Sequence, residues 1–491
     1  MRGAPGESAI AYREGRSVSA EDMIRKTKII ATLGPGTQTL EKIEALLRAG
    51  AGIFRLNMSH AEPAWCRAVT ATVREASAHT GIDAAVLMDL KGPTIRTGDL
   101  AASVMLKKGD QVEFTLSGAA ATLPVSTSVN YPGLHADVKK GDTVLVDNGM
   151  LHMKVLETGP ERLICAVLTE GKLGSRRHIN LPGIRVNLPP LTDRDRSDIA
   201  LGKEIGVDWV AMSFVRDGSH LQLLRKELGV AGLEAKVMAK IEDQQAVANL
   251  DGIIDAADAV MVARGDLGIE VHMEELPVVQ KRIVSRCIHR GKPVVVATHM
   301  LESMVTNPVP TRAEVTDVAN AVMEEADAIM LSGETSTGAY PVECVQVMDR
   351  IARRMEAWDH TPSLANHAAI TNEKQRIVRA AVDLADRIEG AAIIVFTQRG
   401  VLAGYAAWFR PQKAPVFAMC QTTAVARPLH LLRAVHPVVM PFDPAQREAS
   451  TAAAVALLKS RRLLREGGTV VIISDILAEE AAMDSIMVRK A

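Results

Sequence analysis

Two short apolar runs between Lys236 and Glu270 each end in groups that bind charge: KVMAKIE, which carries Lys240 and Glu242, and AVMVA, which runs into Arg264-Gly265-Asp266-Leu267-Gly268. Successive side chains of a strand alternate, so Lys240 and Glu242, two apart, project to one side and can share a ligand. The second run reads as a strand end, a glycine turn and the start of a short helix, whose free backbone amides attract anions. Glu242 and Asp266 are then two hard oxygen donors at neighbouring strand ends. That sparse set suits Mg²⁺ if water and substrate complete its octahedron, with Lys240 as the cation beside it. Taken singly, each residue reads first as part of a structural ion pair or a turn. The run as a whole reads as a site.

The elements that must position these groups follow one pattern from Thr27 onwards, short β-branched runs alternating with amphipathic helices. TKIIATLG, IFRLN, AAVLMDL, DWVAMSF, AKVMAKIE, AVMVA, PVVVAT and DAIMLSGE are the strand candidates. Continuous apolar strands separated by helices imply a parallel sheet covered on both faces. Eight such units imply a (β/α)₈ TIM barrel, whose chemistry sits at the C-terminal strand ends. Arg55, Asn57, Asp89, Ser213, Lys240, Glu242, Asp266, Thr298, Ser332 and Glu334 all fall there. The spacing predicts a barrel over residues 25–97 and 184–360, interrupted at 98–183 by strand alternation and turn signals, including the near repeat LKKGDQVEF and VKKGDTVLV. This inserted small all-β unit, expected to be a β-barrel lid domain, emerges at the catalytic rim, where a lid can exclude water. Thr192 is the expected N-cap where the barrel resumes. Residues 361–491 open with the linker-like TPSLANHAAITNE and continue as an open-sheet α/β domain ending in the helical-looking AEEAAMDSIMVRKA; residues 1–24 read as an extension.

Composition bounds the function. The chain has 491 residues, 47% of them hydrophobic and only 3% aromatic, so aliphatic packing of several domains is expected. A formal net charge of −1 gives no reason to expect nucleic acid or a membrane surface as partner. Cys66, Cys165, Cys287, Cys344 and Cys420 are odd in number and widely spaced, which fits neither a disulfide framework nor a zinc knuckle and suits a reducing cytoplasm.

KIIATLGPGT, FRLNMSH, LMDLKGPTIRTG, LGSRRHINLPG, MSFVR, MAKIE, MVARGDLG, ATHMLESM, PTRAEVTDVANAV and MLSGET together resemble, in order, the motifs of pyruvate kinases. The resemblance covers residues 25–360 closely and the remainder loosely. It implies phosphoryl transfer from phosphoenolpyruvate to ADP, giving pyruvate and ATP, with Mg²⁺ or Mn²⁺ held by Glu242 and Asp266. Lys240 and Arg55 would meet the phosphoryl group, Arg96 would add charge, and the amides at Gly265 and Asp266 would cradle the carboxylate. Thr298, with Ser332, would serve protonation of the enolate. Thr32, Pro35, Asn57, His60, Arg177 and Asp147 match positions near the nucleotide, and a homotetramer is implied.

The departures matter too. Asn57, Ser59 and Asp89, with Leu90 in the same candidate set, resemble the potassium site of family members that need K⁺, but Leu90 follows Asp89 as in K⁺-independent members, and Thr94 stands where the dependent ones carry glutamate and the independent ones lysine. Potassium dependence is left open, with uncharged Thr94 favouring a bound ion. Two arginines, Arg176 and Arg177, replace a common lysine pair. The turn Thr397–Leu402 lacks most of the hydroxyls that bind a sugar bisphosphate in regulated members, and the glycine-rich closing loop is missing, which argues against that regulation. The rival readings are a metal-dependent lyase or aldolase acting on a pyruvate enolate, and a catalytically silent metabolite sensor.

Overall fold

The computed structural model describes residues 24–358, 363, 368–478 and 481–491. The expected N-terminal extension up to residue 23 and six of the thirteen residues of the expected linker lie outside them. Eight parallel strands close into a barrel: β1 (Lys28–Thr32), β2 (Ile53–Asn57), β3 (Ala85–Asp89) and, after the insertion, β12 (Trp209–Met212), β13 (Lys236–Ile241), β14 (Ala259–Ala263), β15 (Val294–Ala297) and β16 (Ala328–Leu331). β16 returns to pair with β1. Alternation along each strand divides its side chains between two cores. Ile30, Ile53, Leu87, Met238 and Met261 fill the barrel interior, while Ile29, Phe54, Val86 and Val260 pack under the outer helices. Thr192 caps the helix Asp193–Ile205 through a reciprocal capping box with Asp195, as expected. Where β1 leaves the barrel, a side chain at Gly34 would place Cβ 2.6 Å from the Ser336 carbonyl oxygen, so only glycine lets the loops after β1 and β16 approach this closely.

The insertion contains β4 (Val104–Leu106), β5 (Gln111–Thr115), β6 (Ser126–Ser128), β7 (Thr143–Val146), β8 (Leu151–Gly159), β9 (Arg162–Val167), β10 (Gly171–Leu173) and β11 (Ile179–Asn180). It has its own core around Phe114, Leu151 and Val155. It forms a six-stranded sheet, β11-β7-β8-β9-β5-β6, beside a two-stranded ribbon of β10 and β4. Residues 96–98 bridge its two edges: Arg96 pairs with His178 beside β11 and Thr97 with Val129 beside β6, the Thr97 amide donating to the Arg177 carbonyl and the Gly98 amide to the Ser128 carbonyl.

The last domain is a five-stranded sheet in the order β19 (Val435–Val439), β18 (Val416–Cys420), β17 (Ala392–Thr397), β20 (Thr469–Ala478) and β21 (Ala481–Lys490). The helical-looking C-terminal stretch is therefore a strand. Antiparallel pairing along β20 outweighs the helix propensity of its alanines and methionines, because propensity is a weak prior beside a full ladder of backbone bonds. Among the described residues no helix is long and apolar enough to cross a membrane.

Under the barrel floor, the C-terminal domain meets the barrel through buried charge. Arg410 grips Asp327 with two bonds of 2.7 and 2.6 Å, their side chains 2% and 1% exposed. Arg433 bonds Glu356, which also accepts from the amides of Lys26 and Thr27. Lys28 Nζ donates to the Val435 carbonyl at 2.5 Å. Burial pushes its ammonium down to about 7. Removing one partner of such a buried pair strands the other charge. Arg410→Met should accordingly lower unfolding free energy by about 3–5 kcal/mol, read as a lower denaturation midpoint in urea, and an unchanged midpoint would contradict this account of the seam.

Candidate active site

At the C-terminal mouth of the barrel, four elements deliver charge to one point. β2 carries Arg55, β3 ends in Asp89, the β12 exit supplies Ser213 and Phe214, and β13 carries Lys240 and leads to Glu242. Arg55 Nε donates to Asp89 Oδ2 at 2.7 Å and its Nη1 to Thr32 Oγ1 at 3.1 Å. Lys240 Nζ donates to Ser213 Oγ at 2.8 Å and lies 2.7 Å from Glu242 Oε1 and 3.3 Å from Asp89 Oδ1. Lys240 and Glu242 thus share one side of β13, as their spacing predicts. Ser213 Oγ in turn donates to the Leu90 carbonyl, and the Phe214 amide donates to Glu242 Oε2.

The charges do not balance evenly. Burial works against the Lys240 ammonium, but Asp89 and Glu242 outweigh it and hold the group above its ordinary value, firmly a cation. Burial likewise works against ionised Asp89, yet Lys240 and Arg55 keep its carboxyl below the usual range. Glu242 is the exception. Burial pushes its carboxyl up, Lys240 pulls the other way, and the nearby Asp266 charge adds to the rise. Lys240 divides its charge between two carboxylates, so Glu242 receives too little of it. The near approach of Nζ does not make a well-directed hydrogen bond to either, and Glu242 Oε1 and Asp89 Oδ1 remain buried without one among the described residues.

Those two features suit a divalent cation, which would supply the missing positive charge and a partner for Glu242 Oε1. Asp266 begins the helix Arg264–Glu270 on the neighbouring strand β14 and lines the same cavity. Among the described residues no three His, Cys, Asp or Glu side chains converge on one metal position, so a metal here takes its other ligands from water and substrate.

The cavity has a volume of about 330 Å³. Arg55, Lys91, Arg96, Arg176, Arg177 and Lys240 face Asp89, Asp147, Glu242 and Asp266 across it, six cations against four carboxylates, which favours an anionic ligand. Asn57, Ser59, His60 and Leu90 complete its barrel side, and Asp147 and Arg177, joined at 3.2 Å, belong to the inserted domain. Most of the predicted residues are therefore brought together.

Five are not part of this lining. Thr32 is 2% exposed, and its hydroxyl is spent on Arg55 and the Leu331 carbonyl, so it orients Arg55 and does not face a nucleotide. Pro35 is exposed outside the cavity. The Gly265 amide, expected to meet a carboxylate, donates to Thr298 Oγ1 at 2.7 Å. Thr298 Oγ1 donates to its neighbour's carbonyl, Ala297 O, at 2.6 Å. Its backbone φ is 68°, a conformation that a β-branched residue adopts only where its surroundings enforce it. Ser332 Oγ is buried with no hydrogen-bond partner among the described residues.

Sequence reasoning missed His178 and Phe214. Their rings meet edge to face at 6.0 Å, linking the inserted domain to the residue whose amide holds Glu242. Their positions directly after Arg177 and Ser213 were the available signal.

Comparison with known proteins gives the same outline. A family model described as pyruvate kinase, barrel domain matches residues 24–345, and one described as pyruvate kinase, alpha/beta domain matches 375–488. A pyruvate kinase of Geobacillus stearothermophilus is 39% identical over 475 residues, 95% of this chain and 80% of the relative. Human pyruvate kinase PKLR is 41% identical, over 86% of this chain and 76% of the relative. A crystal structure of a pyruvate kinase from Cryptosporidium parvum superposes with a TM-score of 0.89 at 34% identity, covering 94% of this chain and 96% of the other.

The strained threonine gives a direct check. Thr298→Ala and Thr298→Gly both delete the hydroxyl, but only glycine accepts the positive φ without cost. The glycine variant should be the more stable of the two by about 1 kcal/mol in denaturant titrations. Equal stabilities would mean that the backbone there relaxes.

Proposed function

The chain belongs to the pyruvate kinase family and is a phosphotransferase of that family, and on this premise we propose how its own residues carry phosphoryl transfer from phosphoenolpyruvate to ADP. Glu242 and Asp266 would hold Mg²⁺ or Mn²⁺, which when bound supplies positive charge to the substrate's carboxylate and phosphate oxygens. Arg55, with Nε on Asp89 and Nη1 on Thr32, offers Nη2 to a phosphate oxygen. Lys240 faces the phosphoryl group in flight. The observation that carries this assignment is that Lys240 stays charged while sharing itself between Asp89 and Glu242, a cation fixed before substrate arrives.

Asn57, His60, Asp147 and Arg177 receive the nucleotide between barrel and lid, and Arg96 adds charge beside the phosphates. For protonation of the enolate, the Thr298 hydroxyl already donates to Ala297, so Thr298 orients water and does not surrender its own proton. Ser332 Oγ is the polar group left to hold that water. We place the enzyme in the cytoplasm as a homotetramer, which the family resemblance and the five buried free cysteines support only in outline.

Potassium has a physical rationale. Asp89 leans on Arg55 and Lys240, the same two cations a bound phosphate would draw on, and Thr94 brings no charge of its own. Asn57, Ser59, Asp89 and Leu90 would then hold K⁺. Potassium should raise turnover, and Thr94→Lys should remove most of that dependence. A flat potassium titration of the wild-type enzyme would sink this part.

The central test follows pyruvate formation from phosphoenolpyruvate with and without ADP. Turnover should require ADP, and Lys240→Met should reduce it by roughly 10² to 10³ or more, while metal-dependent exchange of pyruvate methyl protons survives. Pyruvate released without ADP would favour the lyase reading, and a folded protein with no turnover would favour the sensor.

A further inference from the structure

The inserted domain could swing freely on its two connections, yet its nucleotide-facing groups must meet those of the barrel within fractions of an ångström for in-line transfer. Something has to set its register. Asp147 directly follows β7 and Arg177 lies two residues before its partner β11: Ile179 pairs with Val146, and the Asp147 amide donates to the His178 carbonyl at 3.0 Å. β11 ends at Asn180. That residue is 5% exposed, its Nδ2 donates to Glu270 Oε1 at 3.3 Å, and its Oδ1 has no partner among the described residues.

Glu270 closes the helix Arg264–Glu270, whose first turn carries Asp266. Its carbonyl accepts a hydrogen bond from Gln244, two residues beyond Glu242. The same pair of domains touches on either side of this point. A Cβ at Gly149 would lie 3.5 Å from Ile269 Cγ2, and one at Gly183 would lie 3.6 Å from Gln244 Oε1. The Asn180–Glu270 bond lies between these two close approaches, and it joins β11, which follows Arg177 by two residues, to the helix bearing Asp266.

We propose that Asn180 and Glu270 form a latch that registers the inserted domain on the Asp266 helix, and that they act as positioning residues for nucleotide use. The inference rests on the phosphotransferase reading above. A buried amide needs its partner more than it needs that partner's charge, and burial pushes the Glu270 carboxyl up to about 7 against the Asn180 bond. Glutamine keeps the acceptor oxygen, so Glu270→Gln should substitute well, whereas alanine at either position should not.

The test uses the full chain and four proteins: wild type, Asn180→Ala, Glu270→Ala and Glu270→Gln. In the alanine variants kcat/KM for ADP should fall by about 10², with the KM for ADP rising more than that for phosphoenolpyruvate. Mn²⁺ affinity measured without nucleotide should stay within about twofold, because the carboxylates themselves are untouched, and Glu270→Gln should remain within about threefold of wild type in kcat/KM. Hydrogen exchange of the ligand-free proteins adds a readout independent of turnover, with β7 and β11 exchanging faster in the alanine variants while the barrel strands do not change. Unchanged kinetics and exchange in both alanine variants would overturn the latch, and so would equal losses in Glu270→Gln and Glu270→Ala. A wild-type protein without ADP-dependent turnover would fault the functional reading instead, and the exchange comparison would still decide the latch.

Discussion

The structure depends on keeping one ammonium group charged where water is scarce. Lys240, Asp89 and Glu242 are 9%, 1% and 1% exposed, and taking such groups out of water costs several kcal/mol apiece unless each finds opposite charge. The barrel meets that demand with neighbouring strands. β2 brings Arg55 to Asp89, β3 brings Asp89 to Lys240, and the β12 exit brings Ser213 and the Phe214 amide to Lys240 and Glu242. Nothing in this chain of contacts can move far without leaving a charge alone. That rigidity is what electrostatic catalysis requires, since dipoles and charges fixed in advance need no reorganisation when charge shifts on the substrate.

The network is nonetheless incomplete, and its deficit falls on the cavity side. Glu242 is under-neutralised and, among the described residues, two carboxylate oxygens lack hydrogen bonds, while across the cavity the cationic side chains outnumber the acids. One part of the pocket thus calls for a cation and another for an anion, which is the electrostatic profile of a site for a metal-bound, phosphorylated substrate. The inserted domain adds the arginine-rich wall.

Much of this was legible in the sequence because it follows local rules. The period-two and helical patterns identified eight barrel strands, and the two-residue spacing of Lys240 and Glu242 placed them on one side of β13. What escaped depends on partners distant in the chain. Thr32 looks like a loop-facing hydroxyl until β16 supplies the Leu331 carbonyl and β2 supplies Arg55. The Gly265 amide looks available until Thr298, thirty-three residues on, claims it. The final strand β21 has a helix-like composition, and only β20 beside it makes it extended.

The seam beneath the barrel bears on how the chain can be divided. Four charged groups of the barrel, Lys26, Lys28, Asp327 and Glu356, obtain partners from Gln412, Val435, Arg410 and Arg433 in the last domain. A barrel expressed by itself would present those groups to solvent or to one another with their counterparts gone, and Leu431, which packs into the barrel's inner core from below, would leave a hole. The catalytic module is therefore not a portable cassette: its floor is built by a neighbour that contributes no residue to the charged cavity, and truncation or domain grafting has to carry that neighbour along.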